Sequence, residues 1–329
     1  MSKSAMRLGS MIVIVLYAAL GVAALLAPMF LYSLLLVNIL CFAILACGYN
    51  VLVGYTRCIS FGHSAFVATS AYATGYLLTH NLPTEVGLFA GILASVLLGY
   101  VMGALAIRRE GLYFGMITLA QSQLLYFLYS MAPFTGGEMG LQGVPRGKLL
   151  GFIDLSNDLV LYYFVLAMFV ACFLFIRRCI YSPFGHVLVA IRENESRAIS
   201  LGYDVNRFKL LTFVLSATIS GFAGSLKTLS FGLATLSDAS WSNAADVLVM
   251  TLVGGIGTLW GPVVGAAIVV FLQHYLAERF ADLLTALMGL AFVVCVLVFR
   301  RGIVGEVSEL LKKLRTRLFR RDQGNEDAV

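Results

Sequence analysis

Ten apolar runs, most close to 20 residues long, follow one another along this chain with short polar stretches between them. They fall at 11–28, 29–52, 61–79, 86–107, 113–131, 158–176, 208–230, 246–259, 261–277 and 282–299. A helix of about 20 apolar residues matches the ~30 Å hydrocarbon core of a bilayer. With 60% hydrophobic and 12% charged residues, the chain has too little charge to cover a soluble surface. The expected fold is an all-α polytopic membrane protein of about ten transmembrane helices (eight to ten), forming a single domain over 1–329. The range reflects the runs 246–259 and 261–277, which are short and joined by "GGIGTLWGPVVG" (Gly254 to Gly265). A broken helix and a tight hairpin both fit there. Either needs protein or a water-filled cavity around its irregular backbone.

The opening "MSKSAMRLGSMIVIVLYAALGVAALLAP" carries Lys3 and Arg7 ahead of an apolar core, as a secretory signal would. No cleavage pattern precedes Pro28 and apolar sequence follows at once, so it reads as an uncleaved first span. The net charge of +6 raises nucleic acid as a partner. The basic residues, however, lie between the apolar runs and in the tail, which is how membrane topology is written. With the amino terminus cytoplasmic and ten crossings, only Arg146, Lys148, Lys227 and Arg279 of the 23 Lys and Arg residues fall outside. Both termini are therefore expected on the cytoplasmic face, the surrounding partner is membrane lipid, and nucleic acid is set aside. The stretch 300–329 reads as a cytoplasmic basic tail.

The six cysteines lie in or beside apolar runs with no C-x-x-C pair, and read as small hydrophobes. The four histidines are scattered without an H-E-x-x-H pattern. No catalytic, cofactor-binding or metal residue is assigned. The nearest string to a phosphate-binding G-x-x-x-x-G-K-[ST] is "GVPRGKL", which lacks the spacing and the hydroxyl. Span centres carry no acid or base, and Asp158, Asp246 and Asp282 sit at span ends, against proton coupling. A sodium site of backbone carbonyls stays open.

One stretch is unlike the rest: "SPFGHVLVAIRENESRAISLGYDVNRFKL", Ser182 to Leu210, within a cytoplasmic segment at 177–207. Ser182 and Pro183 suit an N-cap and first helical position, and Gly202 suits the left-handed stop. One helix of about five turns is expected between them. At about 100° per residue, Val187, Leu188, Ile191, Ala198 and Ile199 share one side, with Arg192, Glu193, Ser196, Arg197 and Ser200 opposite. Glu195 falls inside the apolar arc and needs a partner if that face is buried. Two placements fit: flat on the lipid surface, or seated in a groove on a partner protein.

A solute path through apolar helices needs polar groups. Asn50, Ser60, His63, Ser64 and Thr69 supply them in one run, with Ser70 and Thr74, and Gln121 and Gln123 in another, beside Thr118 and Ser122. They suit a transient cavity that offers hydrogen bonds without fixed charge. Hydroxyls and small residues equally serve as helix–helix glue, as do "GLFAG" (Gly87 to Gly91) and "GYVMG" (Gly99 to Gly103). The two glutamine amides are the best placed for a path.

"SPFGHVLVAIRENESRAISLGYDVNRFKLLTFVLSATISGFAGSL" resembles the cytoplasmic coupling segment of permease subunits from ABC importers of branched-chain amino acids, the LivM type. "GYNVLVGYTRCISFGHSAFVATSAYATG" resembles that family's early glycine- and serine-rich segment. "TGGEMGLQGVP" resembles its external loop, and "DVLVMTLVGGIGTLWGPVVGAAI" with "FRRGIVG" its closing third. The resemblance covers nearly the whole chain. It implies a permease subunit in a bacterial cytoplasmic (inner) membrane, importing leucine, isoleucine and valine. The implied partners are a second homologous permease, two cytoplasmic ATP-binding subunits and an extracytoplasmic solute-binding protein. ATP and Mg would be used by the partner, so this chain is not itself an enzyme. The implied coupling residues are Ser182, Pro183, Gly185, Ile191, Arg192, Glu193, Glu195, Arg197, Ala198 and Gly202. The family's "EAA" positions read Ser196-Arg197-Ala198 here, with the glutamate displaced to Glu195. A urea or amide permease shares the motifs. An ion-coupled carrier is the alternative from another class.

Overall fold

The computed structural model describes residues 25–109, 111–149, 153–279, 283–298 and 302–306. Most of the expected first span (11–28) and of the basic tail (300–329) lies outside the described residues. The helices are α1 (Ser33–Thr56), α2 (His63–Thr79), α3 (Thr84–Ala106), α4 (Leu112–Met131), α5 (Asp158–Ile180), α6 (Pro183–Glu193), α7 (Glu195–Ser200), α8 (Val205–Phe231), α9 (Trp241–Gly254), α10 (Gly261–Arg279) and α11 (Leu284–Val298). Each apolar run from 29 onward has become a helix, and the chain is a multi-pass α-helical membrane protein. Among the described residues, α1, α3, α5, α8 and α10 are long and apolar enough to cross a bilayer by length and composition.

The others fall short for separate reasons. Helix α2 has 17 residues, many of them Ser, Thr, Gly and Ala, and packs chiefly against α3 and α8. Helix α9 has 14 residues, below the ~20 of a full span, and α11 has 15 among the described residues. Helix α1 is buried over most of its length and packs against α5, α8, α9 and α10. Around this centre α3, α5 and α10 turn large apolar side chains outward, among them Leu97, Tyr100, Phe175 and Phe271.

Lipid tails are as apolar as leucine, so helices in a bilayer are held by close packing and hydrogen bonds. The α2–α3–α8 contact shows both. A Cβ at Gly99 would stand 2.5 Å from that of Ala217, and one at Gly103 would stand 2.8 Å from Phe213 Cδ1. The hydroxyls of Ser95 and Thr74 donate to the carbonyls of Phe66 and Gly87, each at 3.0 Å, and Ser70 donates to Gly221. The expected glue role of the "GLFAG" and "GYVMG" glycines is what the packing displays.

At the end of the bundle away from α6, short strands close the loops. β1 (Leu141–Gln142) pairs antiparallel with β4 (Leu233–Ala234), and β2 (Lys148–Leu149) with β3 (Ile153–Asp154). The "TGGEMGLQGVP" loop is thereby stitched to the turn after α8. Below it Lys227 Nζ meets Asp238 at 2.5 Å, and Asp238 also accepts from the Thr235 N–H. In the turn after β3 the Ser156 N–H donates to Asp154 at 2.9 Å, holding that exposed carboxyl below its usual range.

Candidate functional site

The polar stretch is two helices, not the single five-turn helix expected. Asn194 takes an extended conformation (φ −155°, ψ 100°), and its side chain accepts from the Arg197 N–H at 2.9 Å. An asparagine can satisfy the free N–H groups of a new helix start, and here it ends α6 and begins α7. Ser182 sits at the N-cap position, but its hydroxyl donates back to the Cys179 carbonyl at 2.6 Å and caps nothing. Pro183 opens α6 as expected. Gly185 abuts the last carbonyls of α5, where a Cβ would overlap Ile180. Gly202 adopts φ +87° after α7, with Tyr203 N–H to Ala198 and Gly202 N–H to Ile199, the Schellman pattern.

The break also changes which residues face inward. Leu188, Ile191 and Ala198 are buried, the last two packing with Val205 and Phe208 of α8. Ile199, expected on the same side, is 58% exposed, because the break resets the helical phase. Glu195 has the partner its position demanded: Lys209 Nζ lies 2.7 Å from its carboxylate, with the lysine side chain only 7% exposed. Arg192, expected on the water-facing side, turns back into the bundle. Its Nη1 donates to the Gly54 carbonyl in the last turn of α1, at 2.8 Å. Glu193, Ser196, Arg197, Ser200 and Leu201 are left exposed.

Arg192 also reaches the glycine-rich link between α9 and α10. Gly255 and Gly257 have φ of +119° and +75°, and Gly254 and Gly265 bring the two backbones together against Gly261 and Met250. Two antiparallel helices in a tight hairpin therefore replace the broken-helix alternative. Asn50 of α1 holds the link at both ends of its amide: Nδ2 donates to Thr258 O at 2.9 Å, and Oδ1 accepts from Gly257 N at 2.8 Å. Gly302 rests against Gly255 on another side.

The proposed path residues divide into two groups. Asn50, Ser60 and His63 are engaged inside the bundle. Ser216 donates its proton to Gly48 O at 2.6 Å, so the 2.7 Å contact to His63 Nε2 makes the imidazole the donor there. His63 Nδ1 then faces Ser60 Oγ at 3.2 Å, and Tyr49, Phe66 and Phe213 meet the ring edge-on. Ser64 and Thr69 of the second group line a seam between α2 and α4, while Gln121 and Gln123 flank Ser122 on α4, about 200° apart. Ser64 Oγ meets Ser122 Oγ at 3.2 Å, and Thr69 Oγ1 meets Tyr129 OH at 2.6 Å. Gln121 Oε1, Gln123 Nε2 and Tyr72 OH are buried with no hydrogen-bond partner among the described residues. A buried polar group without a partner costs about 1–3 kcal/mol. Such atoms suit water or a passing solute.

Sequence reasoning missed Lys209, Gly54, Gly257 and the Lys227–Asp238 pair. Lys209 had a signal, as a lysine one residue inside an apolar run. Gly54 and Gly257 act through backbone atoms and had none. Among the described residues no three His, Cys, Asp or Glu gather into a metal-binding group. Among the described residues Cys41, Cys47, Cys172, Cys179 and Cys295 form no disulfide.

Comparison with known proteins places this architecture. The family described as branched-chain amino acid transport system / permease component matches residues 29–298, from α1 through α11. The high-affinity branched-chain amino acid transport system permease protein LivM of Escherichia coli (strain K12) is 28% identical over 75% of this chain and 64% of its own length. The probable branched-chain amino acid transport permease protein LivM of Methanocaldococcus jannaschii is 27% identical over 61% of this chain and 60% of its own. The permease protein BraD of the corresponding high-affinity system in Pseudomonas aeruginosa is 23% identical over 80% of this chain and 91% of its own. This chain thus spans less than two thirds of the LivM relatives' length. No solved structure matches it. The chain belongs to the branched-chain amino acid transport system permease family.

Proposed function

We propose that this chain is the membrane-spanning subunit of an ATP-driven importer that carries leucine, isoleucine and valine delivered by an extracytoplasmic binding protein. The observation that carries the reading is how the 177–207 segment is held. Arg192 ties it to α1 beside the hairpin link, and Glu195–Lys209 ties it to α8. Its other side offers Glu193, Arg197, Ile199 and Leu201 to a partner. A segment anchored at two points on one side and exposed on the other can pass a push from a docked helix groove into the bundle. Two cytoplasmic ATP-binding subunits supply that push and hold the ATP and Mg. A second homologous permease completes the pore.

In this reading the chain crosses the cytoplasmic membrane ten times with both ends inside, and 300–329 is a cytoplasmic tail. The α2–α4 seam carries the solute: Ser64, Ser122, Thr69 and Tyr72 along it, with the unmatched amides of Gln121 and Gln123 on either side of Ser122, offer hydrogen bonds to a zwitterion without a charge that would retain it. The stitched loop at 135–145 meets the binding protein, with Met139 exposed within it and Phe134 exposed just before it.

Reconstitution in vesicles tests the proposal. Leucine uptake is expected only with ATP, the ATP-binding subunits and the binding protein together, and excess isoleucine should suppress it where urea does not. Uptake by this chain alone on a sodium or proton gradient would overturn the importer reading. Competition by urea would move the substrate to the amides.

A further inference from the structure

We infer that the cavity where α1 ends, α4 begins and α7 meets α8 binds the phosphate headgroup of an anionic phospholipid. The cavity has a volume of about 220 Å³, and Thr56, Arg57, Arg109, Phe114, Glu195 and Lys209 are among the residues lining it. A water takes up ~30 Å³ in the liquid, so a phosphate group and several waters have room here. Glu195 is matched by Lys209. Neither Arg57 nor Arg109 makes an ion pair among the described residues, so the described lining holds two cations in excess. Glu110, between Arg109 and Gly111, lies outside the described residues, and a carboxylate there would still leave one.

Three features fit a phosphate better than another anion. Guanidinium groups bind phosphate oxygens in pairs, through a planar fork of donors. Gly111, also in the lining, is the N-cap of α4 and offers no side-chain cap, so among the described residues the first N–H groups of a 20-residue helix are open to an anion at the same place. Arg57 follows α1 in a left-handed conformation (φ +58°), at the edge of the same cavity.

The neighbouring residues favour a lipid over free phosphate. Leu112 and Tyr113, next to Gly111, are 82% and 72% exposed, and Met116 continues the same outward apolar surface. Leu105, two residues before the lining residue Ile107, is exposed as well. Basic pockets between membrane helices beside apolar surface hold headgroups in this way, with acyl chains running along the helices. The occupant would touch the Glu195–Lys209 pair and so brace the joint between α7 and α8. The inference rests on the proposed function only for which leaflet supplies the lipid.

The test uses the full purified chain without its transport partners, so its outcome is separate from that of the uptake experiment. Native mass spectrometry would compare retention of phosphatidylglycerol and phosphatidylcholine. About tenfold preference for phosphatidylglycerol is expected. The double variant Arg57→Asn/Arg109→Gln should abolish the preference, asparagine being chosen because it tolerates the left-handed backbone. Arg207→Gln is the control, since Arg207 pairs with Asp204 at 2.7 Å and is not among the lining residues. It should retain the lipid as the native chain does. Equal retention of the two lipids, or equal loss in the control, would overturn the site. Displacement of phosphatidylglycerol by millimolar inorganic phosphate would overturn the lipid assignment in favour of a free phosphoanion.

Discussion

Arg192 and Arg197 lie five residues apart in one segment and should fail differently when replaced. Arg192 donates to Gly54 O, so Arg192→Ala frees a carbonyl at the end of α1 and loosens the segment from the bundle. Under the proposed function, uptake should fall about tenfold, the loss of one ~1.4 kcal/mol contact, while the ATP-binding subunits still co-purify. Arg197→Glu should do the reverse, weakening co-purification first, because Arg197 is exposed. If both variants lose the subunits together, the division between anchor and docking surface is mistaken. Glu195→Gln removes a charged contact from Lys209 and should cost about 1–2 kcal/mol, less than a fully buried pair because the carboxylate is about one-third exposed. A thermal melt of the purified variant reads that loss directly. The need of Glu195 for a partner was legible from its place in the apolar arc. The partner of Arg192 was not, since a carbonyl 138 residues away carries no mark in the sequence.

Elements followed the apolar runs closely because a bilayer leaves the backbone few other choices. The exception was the polar segment, where water permits alternatives and a single asparagine decided. Asn194→Ala should cost about 1 kcal/mol through the lost cap and favour one continuous helix. Spin labels at Glu193 and Ser200 would then approach the ~10 Å that seven residues span at 1.5 Å each; an unchanged distance would show the break is held by the flanking contacts instead. The α2–α4 seam offers a second test at this scale. Ser64→Cys/Ser122→Cys, in a background without the native cysteines, places two thiols where hydroxyl oxygens now lie 3.2 Å apart. Oxidation should join the helices and stop uptake, and reductant should restore it. Full transport through the oxidised pair would remove the seam from the path. The amides of Gln121 and Gln123 stood out in the sequence as path candidates, but that Asn50 holds the link between α9 and α10 and that His63 meets Ser216 could only come from seeing their partners across the bundle.

For the molecule as a whole, the centre is held by contacts too close for bulk. Gly103→Leu would drive a side chain into Phe213, which a Cβ alone would already crowd at 2.8 Å. Overpacking of this kind costs about 1–3 kcal/mol, and the yield of folded protein in mild detergent should drop accordingly. Normal yield would mean α3 can slide away from α8 at little cost. The hold of Asn50 on the link between α9 and α10 has a consequence in time. The two ends of that contact are 207 residues apart, so α1 leaves the ribosome long before the hairpin exists. Until then its amide waits in the membrane interior without its final company. Nascent chains halted short of Gly257 should therefore remain open to quality-control proteases, and the last third of translation becomes the moment at which α1 is finally sealed.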